Sequence, residues 1–258
     1  MEHEVLVSDL LASLCKLAPL ELQMDFDNSG FQVGRGDAAV RRALLALDVT
    51  SEVVEEAKEK QVQLILSHHP LIFSPVRSIS DRDPEGKLLL SLIESGLAVI
   101  SMHTNLDIVS GGVNDALLDV FGLKALCPLD GDGCGRIAEL PEAEDFSSFL
   151  ARCKTVLKAA GLRYYDAGRP VKRLAVMGGS VGDCVERAAS LGCDTYLTSD
   201  IKYHQWLLAK ELGINLIDGD HFCTENPVIP VLYERLSKLY PQIEFLISEK
   251  HGQTVCFC

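Results

Sequence analysis

The run Val62-Gln63-Leu64-Ile65-Leu66-Ser67-His68-His69-Pro70 decides how the chain is read. Its apolar stretch has the length of a strand, and it ends on two adjacent histidines before proline stops it. Upstream, residues 42–49 form a second apolar run, Ala-Leu-Leu-Ala-Leu at its centre and Asp48 near its end. Between the two, Thr50 is placed to cap a helix over residues 51–60, with Glu52, Glu55 and Glu56 near its positive end. Strand, helix and strand in this order predict a β-α-β unit of parallel strands with a right-handed crossover. In open α/β sheets ligands bind at the carboxyl ends of the strands. Two imidazoles at such an end invite a metal reading, because neutral imidazole suits zinc, iron, nickel and copper. Adjacent strand residues point to opposite faces, but at a turning strand end the two rings can diverge onto neighbouring ions. Loop histidines capping backbone groups are the plainer alternative.

Working outward, residues 8–17 have helical spacing, with Ser8 or Asp9 as the N-cap. Residues 24–34 are turn-rich and read locally as a surface loop. Residues 71–84 make a long connection of the kind that often covers a site. A helix over 85–95 precedes a strand over 98–102, which again ends in His and Asp: His103-Thr104-Asn105-Leu106-Asp107. A helix over 112–120 follows. The glycine-dense segment 129–140 is the best candidate boundary, dividing an N-terminal α/β lobe (1–128) from a C-terminal one (129–258).

The second lobe repeats the theme. A helix (145–159) and strands over 162–165 and 173–177 lead to Gly178-Gly179-Ser180, which reads either as an anion-holding turn before a helix or as a plain tight turn. A strand over 195–198 runs into Asp200-Ile201-Lys202-Tyr203-His204. Another over 214–217 runs into Asp218-Gly219-Asp220-His221-Phe222-Cys223-Thr224-Glu225. Thr224 is the expected N-cap of a final helix to about residue 240, and strands over 244–248 and 254–257 close the chain.

The 258 residues are 47% hydrophobic, enough for a sizeable core. No apolar run reaches the ~18 residues that cross a bilayer, and Met1-Glu2-His3-Glu4 lacks a basic leader region. A cytoplasmic protein with no membrane partner is expected. Nine cysteines, odd in number and without a C-x-x-C pair, fit reduced thiols, and Cys256 and Cys258 read as two residues on one strand face. A formal charge of −13 argues against a nucleic-acid partner and leaves room for one small anionic ligand held by metals.

His68, His69, His103, Asp107, His204, His221 and Glu225 all fall at or near strand ends. Nitrogen and oxygen donors in this mixture suit two divalent ions with open positions for water. Each such histidine needs an acceptor on its other nitrogen, and Asp48 and Asp218 are the candidates.

The motifs Asp27-Asn28-Ser29-Gly30, Leu66-Ser67-His68-His69-Pro70, His103-Thr104-Asn105-Leu106-Asp107, Gly135-Arg136, Gly178-Gly179-Ser180, Asp200-Ile201-Lys202-Tyr203-His204 and His221-Phe222-Cys223-Thr224-Glu225 stand in one order along nearly the whole chain. In these the chain resembles the Nif-three-like family, also named for GTP cyclohydrolase 1 type 2 homologues. The resemblance implies a two-lobed α/β fold with mixed, largely parallel sheets flanked by helices, and a dinuclear site between the lobes. It implies His68 and His69 as ligands of different ions, Asp107 and His221 as further ligands, and Glu225 as the bridging carboxylate. It also implies a toroidal homohexamer, in the short form without the inserted domain. Phe26 stands where many relatives carry Trp, Asp220 and Ala138 where glycine is common, and Val181 interrupts the glycine run.

The resulting expectation is a metal-dependent hydrolase, like GTP cyclohydrolase 1 type 2, acting on a nucleotide or related small substrate with a metal-bridged water as nucleophile. His103 and His204 would move protons. The two divalent ions could be zinc, iron, manganese, nickel or cobalt. The alternative is a non-catalytic metal-binding or regulatory scaffold assembled as a ring.

Overall fold

The computed structural model describes residues 4–258, so the Met1-Glu2-His3 start lies outside the described residues. The chain divides into two compact units. One runs through Leu106 and takes back Ile229–Gly252; the other is Asp107–Val228 with Gln253–Cys258.

The first unit opens with α1 (Val7–Leu17), where the Asp9 carboxylate accepts from Leu6 N at 2.9 Å and so braces the first turn. It continues through β1 (Gly30–Val33), β2 (Arg42–Ala46), α2 (Ser51–Glu59), β3 (Leu64–Ser67), α3 (Pro84–Glu94) and β4 (Ala98–Ser101). Thr50 caps α2 through Val53 N, and Asp83 caps α3 through Gly86 N with Pro84 at the first helical position. The expected β-α-β unit is present: β2, β3 and β4 are parallel, with Ala46 beside Ser67 and Ser67 beside Ser101. Every residue of β3 and β4 is buried, which is why both read as unbroken apolar runs. Leu44, Ala46, Ile65 and Val99 pack with Val53, Val54 and Ala57 of α2 and with Leu89 and Leu92 of α3.

Two elements complete this sheet, whose order is β1-β4-β3-β2-β10. Strand β1 pairs antiparallel with β4, so the segment read locally as loop contains an edge strand. Four residues that begin on Gly30 are too short for alternation to show. After α10 (Val228–Leu239), β10 (Glu244–Ile247) pairs parallel with β2.

In the second unit, α5 (Val113–Asp119) precedes β5 (Arg136–Glu144), α6 (Phe146–Val156), β6 (Arg163–Tyr165), β7 (Val171–Val176), α7 (Val185–Ser190), β8 (Thr195–Thr198), α8 (Tyr203–Leu212), β9 (Asn215–Asp218) and α9 (His221–Glu225). Strands β7, β8 and β9 are parallel, and β5 and β6 pair antiparallel at the edges, giving the order β5-β7-β8-β9-β6. Leu117, Phe121, Phe149, Leu174, Val176, Leu197 and Ile217 form its core. Both sheets are mixed and largely parallel, with helices flanking them.

A short helix, α4 (Thr104–Ile108), follows β4 directly and carries Asp107. Residues 254–257 are irregular, not a strand; the Phe257 ring lies where a Cβ on Gly161 would stand, 2.4 Å from Cδ1. Cys256 and Cys258 are exposed free thiols on that tail. Thr224 is buried inside α9, its hydroxyl donating to His221 O, while Asp220 is the cap, accepting from Cys223 N. Asp220 is the cap in place of Thr224 because the helix starts at His221, four residues earlier than a Thr224 cap implies. No described helix is long and apolar enough to cross a membrane.

Candidate metal-ligating residues

In the first unit the chain bends as it leaves β3, and the amides of His68 and His69 both donate to Leu47 O, at 3.2 and 2.9 Å. The bend brings the two rings together instead of leaving them on opposite faces: their centroids are 4.9 Å apart. His103, leaving β4, joins them with centroids 5.2 and 5.6 Å away. The three offer ring nitrogens that all lie within 4.8 Å of one another.

The other nitrogen of each ring is engaged. His68 Nδ1 lies 2.8 Å from Met102 O, and a carbonyl can only accept, so Nδ1 carries the proton and Nε2 the lone pair. His69 Nδ1 lies 2.6 Å from Asp48 Oδ1. His103 Nδ1 lies 2.8 Å from Asp27 Oδ1. Burial works against charge on the Asp27 carboxyl, but hydrogen bonds from His103 and Thr104 outweigh it and hold its pKa far below the usual carboxylate range. Asp27 also takes the Thr104 amide at 3.0 Å and the Thr104 hydroxyl at 2.5 Å. An ionised Asp27 can only accept, so His103 likewise keeps its lone pair on Nε2.

His251, at the end of the same unit, has a different job. Its Nδ1 accepts from Leu47 N at 3.0 Å, bracing the residue whose carbonyl holds both strand-end histidines. Burial lowers its pKa, which keeps the acceptor nitrogen available.

In the second unit His221 and Glu225 stand one helical turn apart on α9. His221 Nδ1 lies 2.6 Å from Asp200 Oδ2, and Nε2 lies 3.0 Å from Glu225 Oε2. The Glu225 side chain is buried. The Gly178-Gly179 turn makes room for it: a Cβ on Gly179, at φ +77°, would fall 2.2 Å from Glu225 Oε1. The two turn amides are already bonded, Gly178 N to Asn114 Oδ1 at 3.0 Å and Gly179 N to Thr224 Oγ1 at 3.2 Å. This glycine pair therefore seats a carboxylate and does not offer those amides to an anion.

Asp107, half-buried on α4, has its carbonyl held by Asn114 Nδ2 at 3.0 Å. His204 is exposed in the first turn of α8 and does not join the His221–Glu225 pair. Asp48 holds a histidine as the sequence suggests. Asp218 does not: it is paired with the Arg163 guanidinium, and Asp200 takes its place beside His221. Asp27 was missed as a histidine anchor because it lies 76 residues from its histidine, and Asp200 because Asp218 stands nearer to His221 in the sequence. Both do stand in the motifs quoted from the sequence.

The donor set fits divalent ions. Four histidines have Nδ1 oriented by oxygen acceptors, the arrangement that fixes the tautomer of metal-bound imidazole. Among the described residues no cysteine joins these groups. Burial pushes the Cys193 and Cys223 thiols up to about 11 and about 12 and raises Cys134 and Cys153 as well, which disfavours thiolate ligation.

The family described as Duf34/NIF3 (NGG1p interacting factor 3) matches residues 5–253. A Clostridium perfringens protein named GTP cyclohydrolase 1 type 2 homolog is 35% identical, covering 95% of this chain and 96% of that protein. A Helicobacter pylori protein named GTP cyclohydrolase 1 type 2 is 33% identical, covering 90% of this chain and 91% of that one. A solved structure of a Staphylococcus aureus hypothetical protein superposes with a TM-score of 0.93 at 29% identity, covering 99% of this chain and all of that one. On this match, spanning both units, the chain belongs to the Duf34/NIF3 family.

Proposed function

We propose that the protein binds two divalent metal ions through His68, His69, Asp107, His221 and Glu225 and hydrolyses a nucleotide or similar small anionic substrate. The observation that carries this reading is the common wiring of His68, His69, His103 and His221, each with Nδ1 against an oxygen. Histidines that merely fill a core have no need of a shared orientation, whereas ligand histidines do. Bound ions would supply Lewis acidity toward substrate oxygens and lower the pKa of water.

The remaining work falls to side chains. His103 is the better candidate for moving a proton, because the Asp27 carboxylate takes its Nδ1 and fixes the orientation of the ring. Among the described residues His204 has no comparable anchor, and it would take part only from solvent. Glu225 is held between His221 and the Gly178-Gly179 turn, so it acts as a ligand and not as a base. The names of the relatives from Clostridium perfringens and Helicobacter pylori support a purine nucleotide as the first substrate to try. In this reading the working form is a cytoplasmic homohexamer, which the mass in solution tests.

The deciding experiment is elemental analysis for metal per chain, paired with hydrolysis assays across nucleotides on the loaded protein. Two ions per chain and a turnover abolished by Asp107→Ala are expected. Glu225→Gln should lower occupancy of both ions; retention of two ions in that variant would remove Glu225 from its bridging role. Two ions with no turnover on any nucleotide would leave a metal-binding scaffold and refute the hydrolase.

A further inference from the structure

Two phenylalanines beside the first-unit histidines have no place in the core. Phe26 is 62% exposed and Phe73 50%. The loop after β3 sends its neighbouring apolar residues Leu71, Ile72 and Val76 inward against the core, while Phe73 points out. Single exposed apolar side chains are ordinary, but two aromatic rings held side by side leave a contiguous apolar face in water. Their centroids are 6.3 Å apart with planes tilted by 53°, so neither ring covers the face of the other.

The pair is fixed to the histidines. The Phe73 ring meets the His103 ring edge-on, centroids 6.1 Å apart and planes at 80°. Phe26 precedes Asp27, whose carboxylate is gripped by His103 and Thr104. Asn28 Nδ2 donates to Ile72 O at 2.6 Å, and Ile72 N donates to Gln32 Oε1 at 3.1 Å. The two phenylalanine-bearing segments are thereby stitched together one residue from Phe73 and two from Phe26, which preorganises the pair at little entropic cost on binding.

We infer that Phe26 and Phe73 are positioning residues that form a wall against which a planar aromatic ring of the substrate packs, at the edge of His103. Aromatic side chains hold such rings by stacking with little regard to their hydrogen-bonding pattern. The wall would keep the ring's polar appendages facing the histidines. This inference rests on the metal-site reading for the identity of its ligand, although the wall itself is defined by the two phenylalanines alone.

The test is calorimetric titration of the metal-loaded full chain with GTP and with inorganic tripolyphosphate, which has the phosphate chain and no ring. Wild type is compared with the Phe26→Leu/Phe73→Leu double variant, which keeps apolar bulk at exposed positions and removes the π faces. Wild type should bind GTP more tightly than tripolyphosphate. The double variant should lose about tenfold or more in GTP affinity, the scale of one lost base stack. Tripolyphosphate affinity and metal content should not change. Unchanged GTP affinity in the variant overturns the wall. So does an equal weakening of both ligands with a fall in oligomer mass, which would make the patch a contact between copies of the chain. Wild type that holds two ions but binds GTP no better than tripolyphosphate also overturns the wall and leaves the metal reading intact. Wild type without ions, yet with a ring preference that the variant erases, refutes the metal reading and keeps the wall.

Discussion

The His68–His69–His103 group and the His221–Glu225 pair are built on different plans. The first is assembled from afar. Its imidazoles come from the ends of two parallel strands, and their orientation depends on Met102, Asp48 and Asp27, the last on a loop 76 residues away from its histidine. The second is local. One helical turn sets its two donors, and two glycines leave space for the carboxylate. A group assembled from afar is as stable as its buried anchors, whereas a local pair is as stable as the fit around it. Substitutions should therefore break the two in different ways.

The largest effect is expected for Asp27→Ala. It strands the His103 Nδ1 proton and both the amide and hydroxyl of Thr104 in a buried setting, where each lost partner costs about 1–3 kcal/mol. Chemical denaturation should show a loss of about 3–5 kcal/mol, together with weaker metal binding at the first-unit histidines. Gly179→Ala should come next, at about 2–3 kcal/mol, because its Cβ meets the Glu225 carboxylate and the backbone at φ +77° is left-handed. Metal lost through Glu225 with the Asp27 network unharmed would confirm that the second plan fails locally.

Glu56 is a reference carboxylate outside both groups. Burial opposes its charge, but Lys60, the Ser248 hydroxyl and Glu249 N donate to it, and its pKa falls to about 2. A carboxyl whose folded pKa is depressed stabilises the fold above its unfolded pKa, and that contribution disappears as pH falls through the folded value. Stability should thus decline between about pH 5 and pH 2. Glu56→Gln should remove about 2 kcal/mol at neutral pH and flatten that decline, as read from melts across the range.

Asp220→Gly sharpens the local plan in the opposite direction. Asp220 sits at φ +70° and ψ 138°, where a side chain is strained, while serving as the cap of α9. Relief of strain is worth about 1–3 kcal/mol, and replacing an aspartate cap by glycine costs only a few tenths. The variant should be more stable by about 1 kcal/mol, a gain visible in the melting temperature. The smallest stability change belongs to Asp200→Ala. Its carboxylate is half exposed, so the fold should lose under about 1 kcal/mol, while metal affinity through His221 should fall at least about tenfold.

The strand ends were legible in the sequence for a physical reason. Parallel strands buried on both faces are apolar throughout, so a histidine pair that ends one, as His68 and His69 do, stands out. A helix start was legible where a capping side chain stands directly before the helical run, as at Thr50. Strand β1 was hidden because four residues around Gly30 carry no periodicity, and its pairing with β4 is non-local. Nothing in residues 244–247 tells which sheet they join; their place beside β2 is set by tertiary packing. The anchors Asp27 and Asp200 were readable as members of motifs but not as partners of particular imidazoles. Gly179 stayed open between an anion-holding turn and a plain tight turn because its use, seating the side chain of Glu225, lies 46 residues ahead in the chain.

The most direct test of the metal claim is X-ray absorption spectroscopy on the zinc-loaded full chain. Ligation by histidine and carboxylate predicts a first shell of nitrogen and oxygen alone at about 2.0–2.2 Å, with the outer-shell scattering of imidazole rings. A sulfur shell at about 2.3 Å, or zinc with no imidazole signature, would contradict it.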